Sequence, residues 1–319
     1  SQRDFENEVK VKKLVTDNFQ KWQVDGVVPS GQIEDGEKTR EVIINRGWKY
    51  WHQLFNARQL LVLSRLAEQI KHAKTTAEKV AGILGLNKCV NYDSRLCRID
   101  PSRDMMAQVF YNQALNTLYN YGIRGNSLLG DPWFGIINTV KLNGATEVKL
   151  QDARDTTNVV DIWVTDPPYA DAINYHELTE FFLAWDKGLI QGVFPAWYTD
   201  SKRILAVRGD EDFSQTMIEI YSNLTKHMSD NGVQIVMFTH SDPAIWAQLA
   251  IIMWKSKLKV TAAWNVTTET ASPGMKNCNY VTGTVLLVLR KQNDNQMAFL
   301  DEINGDIREE GKQQIATMQ

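Results

Sequence analysis

In this 319-residue chain, Thr165-Asp166-Pro167-Pro168-Tyr169 is the segment whose residue types and spacing are best suited to chemistry. The run before it, Val159-Val-Asp-Ile-Trp-Val164, reads as a β-strand. The five residues therefore stand at the carboxyl end of a strand, where open α/β sheets bind their ligands. Asp166 brings acceptor oxygens, the two prolines fix φ and carry no amide donors, and Tyr169 brings an aromatic face. With 8 prolines in 319 residues, composition alone gives roughly 0.2 adjacent pairs. Requiring Asp before the pair and an aromatic after it lowers that to the order of 0.001. The plain alternative is a stiff strand-to-helix turn.

Elements that must position this segment follow it in alternation. Tyr175 to Leu189 reads as a helix with Leu178, Phe181, Phe182 and Trp185 on one side. Phe213 to Met228 is a second helix, closed by the turn signal Asp230-Asn231-Gly232. Val233–Phe238 is a buried strand, Pro243–Lys257 a helix, and Val260–Thr267 and Val281–Leu289 two further strands. Val148–Leu150 is a short strand candidate ahead of them. This order implies an α/β sheet covered on both faces. Upstream the chain is mainly helical, over Phe5–Trp22, Trp51–Ala73 and Thr75–Leu84. Asp100-Pro101-Ser102 reads as a helix start with Met105–Tyr121 following. The expected division is a helical region at 1–144, a sheet-bearing half that carries the Asp-Pro-Pro-Tyr segment at 145–292, and a polar tail at 293–319.

Composition narrows the class. Hydrophobic residues at 43% and charged residues at 23% exclude a mainly disordered chain. No run approaches the roughly 18 apolar residues of a membrane span, and polar Ser1–Lys13 carries no secretory signal. Three cysteines without a C-x-x-C pair make neither a disulfide framework nor a zinc site, so a reducing, cytoplasmic setting is expected. The five histidines show no metal-ligand spacing. A first residue of Ser rather than Met reads as a processed or trimmed piece of something longer. Residues 1–150 carry 21 Lys/Arg against 16 Asp/Glu, or +5, and the remainder carries 14 against 22, or −8. A polyanion would be met by the first half; ordinary surface variation is the alternative.

Asp166-Pro167-Pro168-Tyr169 resembles the signature of S-adenosylmethionine-dependent amino-methyltransferases, which methylate exocyclic amines, above all N6 of adenine or N4 of cytosine in DNA. The resemblance implies that Asp166 and the Pro167 carbonyl accept the two N–H bonds of the amine, directing its lone pair at the methyl group in an in-line displacement. It implies that Tyr169 stacks on a base turned out of the helix. Residues 166–185, Gly47-Trp-Lys-Tyr-Trp-His-Gln-Leu-Phe-Asn-Ala-Arg-Gln-Leu-Leu-Val-Leu63 and Ala262-Ala-Trp-Asn-Val-Thr-Thr-Glu269 resemble a family of long bacterial and archaeal DNA methylases. Members carry an N-terminal domain of unknown function and sometimes a zinc ribbon. Their expected role is adenine-specific DNA methylation, often beside defence or restriction systems. The similarity covers about residues 20–291. It implies a Rossmann-like methyltransferase fold, here its catalytic-strand half, with S-adenosylmethionine as cofactor and DNA as partner.

One part of that pattern is missing. The family holds its cofactor on a strand ending in a glycine-rich turn, and no such turn is found here; Gly130-Asp-Pro-Trp-Phe-Gly135 comes nearest but lacks the G-x-G spacing. The chain therefore resembles the C-terminal portion of such a methylase, or a natural half completed by a partner chain. Non-enzymatic recognition or assembly is the rival reading, and N4-cytosine or N2-guanine in RNA are the rival targets.

Other residues have two readings each. Asp152 and Ala153, in the turn before the catalytic strand, are candidate cofactor contacts with Thr165; a turn cap is the alternative for Asp152. His176, His240, Arg203 and Arg208 are candidate substrate contacts. Glu177 pairs with His176 as either a substrate contact or a solvated first turn. Trp48, Tyr50, Trp51 and His52, with Arg58 after them, could stack on bases, but the leucines that follow favour a helix start packed into the core. Ser272–Asn279 could border the substrate cleft, or form a long hairpin.

Overall fold

The structure is a computed structural model that describes residues 2–97, 99–100, 105–106, 108–110, 143–168, 175–197, 207, 213–267 and 283–293, with short pieces between 303 and 313. The chain divides into two compact units: Ser1–Leu150 with Ile173–Ala206, and Gln151–Ala172 with Val207–Gln319. Among the described residues, no helix is long and apolar enough to cross a membrane.

The first unit is helical, as the sequence periodicity predicts. It contains α1 (Gln2–Val24), α2 (Arg40–Arg46), α3 (Ala57–Lys71), α4 (Thr76–Tyr92) and α5 (Tyr175–Ile190). A single helix over 51–73 is not what forms. A 3₁₀ turn covers Trp51–Leu54 and α3 starts afresh at Ala57. The cause is local: the Asn56 side chain accepts from the Gln59 amide at 3.0 Å, and the Gln59 side chain accepts from the Asn56 amide at 2.8 Å. Helix α4 extends well past Leu84, because its glycines serve packing rather than termination. A Cβ at Gly82 would run into Ile70 of α3. Leu63, Ala67 and Ile70 of α3, Leu86 and Val90 of α4, and Phe181 and Trp185 of α5 share one core. Helix α5 also passes close to the α1 exit: a Cβ at Gly188 would stand 3.1 Å from the Gly26 carbonyl, and Gly26 itself has φ +71°. The expected helix from Met105 is corrected at its start, where β1 (Ile99–Asp100) pairs antiparallel with β2 (Met105–Met106). The rest of that helix lies outside the described residues.

The second unit holds an open, mixed, four-stranded sheet: β3 (Val160–Thr165), β4 (Met228–Phe238), β5 (Leu258–Val266) and β6 (Thr284–Lys291), in the order β3-β4-β6-β5. β3 and β4 are parallel, and β6 runs antiparallel to both of its neighbours, so β5 points the same way as β3 and β4. Helices α6 (Phe213–Lys226) and α7 (Pro243–Lys255) make the β3-to-β4 and β4-to-β5 crossings. Both pack on one face, against Val236, Phe238, Leu287 and Leu289. Residues 148–150 form no strand. Asp230-Asn231-Gly232 is not a helix terminator either, since β4 already begins at Met228 and runs through it. Gly232 permits this: a Cβ there would lie 2.9 Å from the Asp161 carbonyl of β3.

Gln234, in the middle of β4, is fully buried on the helix-covered face, and both polar atoms of its side chain lack hydrogen-bond partners. A buried amide left unpaired costs about 1–3 kcal/mol, and an apolar group of similar shape carries no such penalty. Gln234→Met is therefore expected to stabilise the second unit by about 1–3 kcal/mol. Urea unfolding checks this; a loss of stability would show that the amide has a partner.

Candidate functional site

The site is built on the second unit, where β3 and β4 run parallel and end together. Thr165 is level with Val236 and Val164 with Ile235, so Asp166 emerges at the same sheet end as Phe238 and the loop to α7. Asp166 is exposed, Pro167 buried and Pro168 half-buried. The prolines sit over a small apolar cavity of about 10 Å³, floored by Phe213 and Met217 of α6, Phe238 of β4 and Ile252 of α7. A space of that size is at the limit for one water molecule. Packing below and fixed φ angles along the pair therefore hold the loop rigid while the carboxylate faces outward.

Thr165 points to the helix-covered face, in the same row as Val236. Beneath it lies Tyr221 of α6, which the sequence patterns did not reveal. Tyr221 is 1% exposed and its hydroxyl has no well-formed hydrogen bond. Burial pushes its ionisation up to about 12, and Thr165 and Asp166 are the polar groups that act on it. Its only sequence signal is its place in the apolar stripe of α6, which reads as core.

His240 follows β4 at the same end. The Asp242 amide donates to its Nδ1 at 2.9 Å, and its own carbonyl accepts the Trp246 indole N–H at 2.9 Å. Asp242 in turn caps α7 by accepting from the Ala244 amide at 2.8 Å. An Nδ1 that accepts a backbone N–H carries no proton, so the neutral ring is protonated at Nε2.

Asp152 and Ala153 are occupied differently. The Asp152 carboxylate accepts from the Arg154 amide at 2.9 Å and from the Arg154 guanidinium at 2.7 Å. The guanidinium bond is the main reason its pKa lies below the ordinary carboxylate value. Arg154 also reaches Glu219 at 3.4 Å, and Asn223 donates to the Ala153 carbonyl at 3.0 Å. The turn is thus capped by Asp152 and fastened to α6. Tyr169, Arg203, Arg208 and the hairpin 272–279 lie outside the described residues, as does the side chain of His176, whose backbone is in the first turn of α5.

Glu177, beside His176, is 2% exposed and packed within the first unit. Its carboxylate accepts from the backbone amides of Glu37, Lys38 and Thr39 at 2.9, 2.8 and 3.0 Å. It is neither a solvated pair member nor a substrate contact; it fastens α5 to the entry of α2. The aromatic group at 48–52 belongs to the same unit. Trp48 and Trp51 are buried, Arg95 lies 4.5 Å over the Trp48 ring, and Arg58 pairs with Glu8 at 2.6 Å. Burial depresses the His52 pKa, and pushes the thiols of Cys89 and Cys97 up to about 11, so both cysteines are unreactive thiols near neutral pH. Among the described residues no group of three or more His, Cys, Asp or Glu side chains gathers as a metal site.

No family model, no curated protein and no solved structure matches this chain.

Proposed function

We propose that this protein supplies the substrate-holding half of an S-adenosylmethionine-dependent amino-methyltransferase acting on a nucleic-acid base, with N6 of adenine in DNA as the favoured target. The observation that carries this reading is the exposed Asp166 carboxylate on a buried Pro167, at the shared carboxyl end of two parallel strands. An exocyclic amine conjugated to its ring is a poor nucleophile. Asp166 and the Pro167 carbonyl hold its two N–H bonds, and the seat beneath the prolines keeps both acceptors in place. Tyr169 stacks on the base, and His240, at the same sheet end, faces the substrate side. We read β3, β4 and β5 as one half of a Rossmann-like sheet, since three parallel strands in sequence order match the second half of the order 3-2-1-4-5-6. The antiparallel β6 is an insertion between the last two.

The described residues do not form a place for the cofactor. The Asp152 carboxylate is taken up by Arg154, and no described strand ends in a glycine-rich turn. S-adenosylmethionine would supply the methyl group, and the described side chains account only for holding the amine. The same observation favours the second reading, an assembly half that acts only when completed.

Methyl transfer tests the proposal. Protein isolated from its own cells, given radiolabelled S-adenosylmethionine and DNA, is expected to lose at least 100-fold in rate on Asp166→Ala, or about 2.7 kcal/mol of barrier. Equal rates would end the assignment of Asp166.

A further inference from the structure

The hydroxyl of Tyr221 is an unused polar group beneath the candidate site. Tyr221 lies in α6, 1% exposed, in the core it shares with Met217, Val236 and Phe238. Met217, one turn earlier, helps floor the seat of Pro167 and Pro168. This packing fixes the ring, and the backbone carbonyl of Tyr221 accepts the Thr225 hydroxyl at 2.7 Å. The phenol oxygen is nevertheless buried without a well-formed hydrogen bond. A buried polar atom left unpaired opposes folding, and a phenylalanine would fill the same space without that cost. Packing therefore accounts for the ring and not for the oxygen.

Its polar neighbours decide what the oxygen can do. Thr165 and Asp166 are the side chains that act on it. The Thr165 hydroxyl donates to the Ile235 carbonyl of β4 at 3.4 Å, which leaves its lone pairs for a donor from α6. Burial pushes the ionisation of Tyr221 up to about 12, so near neutral pH the phenol keeps its proton and can be that donor. Completed, the relay runs from Tyr221 O–H to Thr165 Oγ1, and from Thr165 O–H to the Ile235 carbonyl. It joins α6, β3 and β4 at the residue from which Asp166 departs. In the free protein the first link is not well formed and the second is long. Hydrogen bonds of catalytic groups are often loose in this way before substrate binds, and tighten in the complex.

We propose that Tyr221 is a positioning residue for the Asp166 loop: when a base amine seats on Asp166, the Tyr221 hydroxyl closes onto Thr165 Oγ1 and locks the end of β3 to α6. The unpaired oxygen of the free protein is a bond held in reserve for the loaded site. Its free energy is spent on orienting the carboxylate, so its loss falls on kcat rather than on KM. This deepens the methyltransferase reading and rests on it for the identity of the seated group; the relay itself follows from burial and from the count of donors and acceptors.

The test measures kcat and KM for Tyr221→Phe, Thr165→Val and the double variant, in protein isolated from its own cells and given DNA and S-adenosylmethionine. Tyr221→Phe is expected to lower kcat about 10-fold with KM for DNA within about twofold, while urea unfolding of the free protein shows no loss of stability. Thr165→Val removes the acceptor, so adding Tyr221→Phe to it should lower kcat no further. An NMR signal from the Tyr221 hydroxyl proton should move downfield when DNA and S-adenosylhomocysteine are added to the parent protein, and should stay in place in Thr165→Val. A kcat for Tyr221→Phe within about twofold of the parent, single effects that multiply in the double variant, a loss of stability in proportion to the loss of rate, or an unmoved proton signal would each overturn the proposal. A shifted signal in a protein whose Asp166→Ala variant still methylates DNA would keep the bond between Tyr221 and Thr165 and remove the methyl-transfer reading.

Discussion

Replacing Glu177 by alanine is expected to lower the stability of the first unit by about 3–5 kcal/mol, since three backbone amides lose their charged acceptor at once. The carboxylate is buried and accepts three consecutive backbone amides just ahead of α2. Alanine removes all three acceptor contacts and leaves the donors without water to replace them, at about 1–3 kcal/mol for each that stays unpaired. Gly36 permits this close approach, since a Cβ there would overlap the carboxylate. Glu177→Gln keeps the shape but loses the charge and turns an N–H₂ group toward the amides, so an intermediate loss of about 2 kcal/mol is expected. Urea unfolding followed by tryptophan fluorescence measures both variants. A change below 1 kcal/mol for alanine would mean that the three amides find other acceptors.

Asp186 governs the second large effect, a dependence of stability on pH. It lies in α5, 4% exposed, with Asn87 of α4 donating to its Oδ2 at 2.8 Å. Burial pushes its carboxyl up to about 7, against a smaller downward pull from the Asn87 bond. Asp186 Oδ1 and Asn87 Oδ1 are both buried without partners. An acid proton is the donor this pair of acceptors lacks. In the unfolded chain the same carboxyl titrates near 4. Between about pH 4 and pH 7 the folded state therefore binds more protons than the unfolded state, and stability falls as pH rises through that window. The loss is complete above pH 7 and amounts to about 4 kcal/mol at most, at 1.36 kcal/mol per unit of pKa. Asp186→Asn supplies an N–H donor without a titrating charge. It is expected to stabilise the unit by about 2–4 kcal/mol at pH 8 and to have little effect at pH 4. Urea unfolding of both proteins at the two pH values gives the comparison. A difference that does not change with pH would contradict the assignment.

Particular elements show what the sequence made legible. Helices α5, α6 and α7 follow from hydrophobic period, since each has one buried or half-buried stripe, and β3 follows from its run of β-branched and aromatic residues. The stiffness of the motif was legible from its two prolines, but its seat was not, because Phe213, Met217 and Phe238 beneath it lie about 45–70 residues further on. Nor was the entry to β4. Asp230-Asn231-Gly232 has the composition of a turn, and only the close approach of β3 at Gly232 explains why a strand continues through it. Glu177 reads as a polar first-turn residue because its three amide partners lie about 140 residues upstream. Tyr221 and Asp186 hid inside apolar stripes, where a single polar atom leaves no periodic signal. Asp152 offered two readings, and Arg154, two residues on, brought the capping bonds the structure shows.

The central claim is that Asp166 holds a base amine for methylation, and the modified nucleoside itself is the most direct witness. DNA from cells carrying the intact protein and from cells carrying Asp166→Ala at equal protein level would be digested to nucleosides. N6-methyladenine and N4-methylcytosine would then be quantified by mass spectrometry against cells lacking the protein. N6-methyladenine that appears with the intact protein and falls at least 100-fold with alanine at 166 is the predicted result. Equal amounts of methylated nucleoside in all three strains would contradict it.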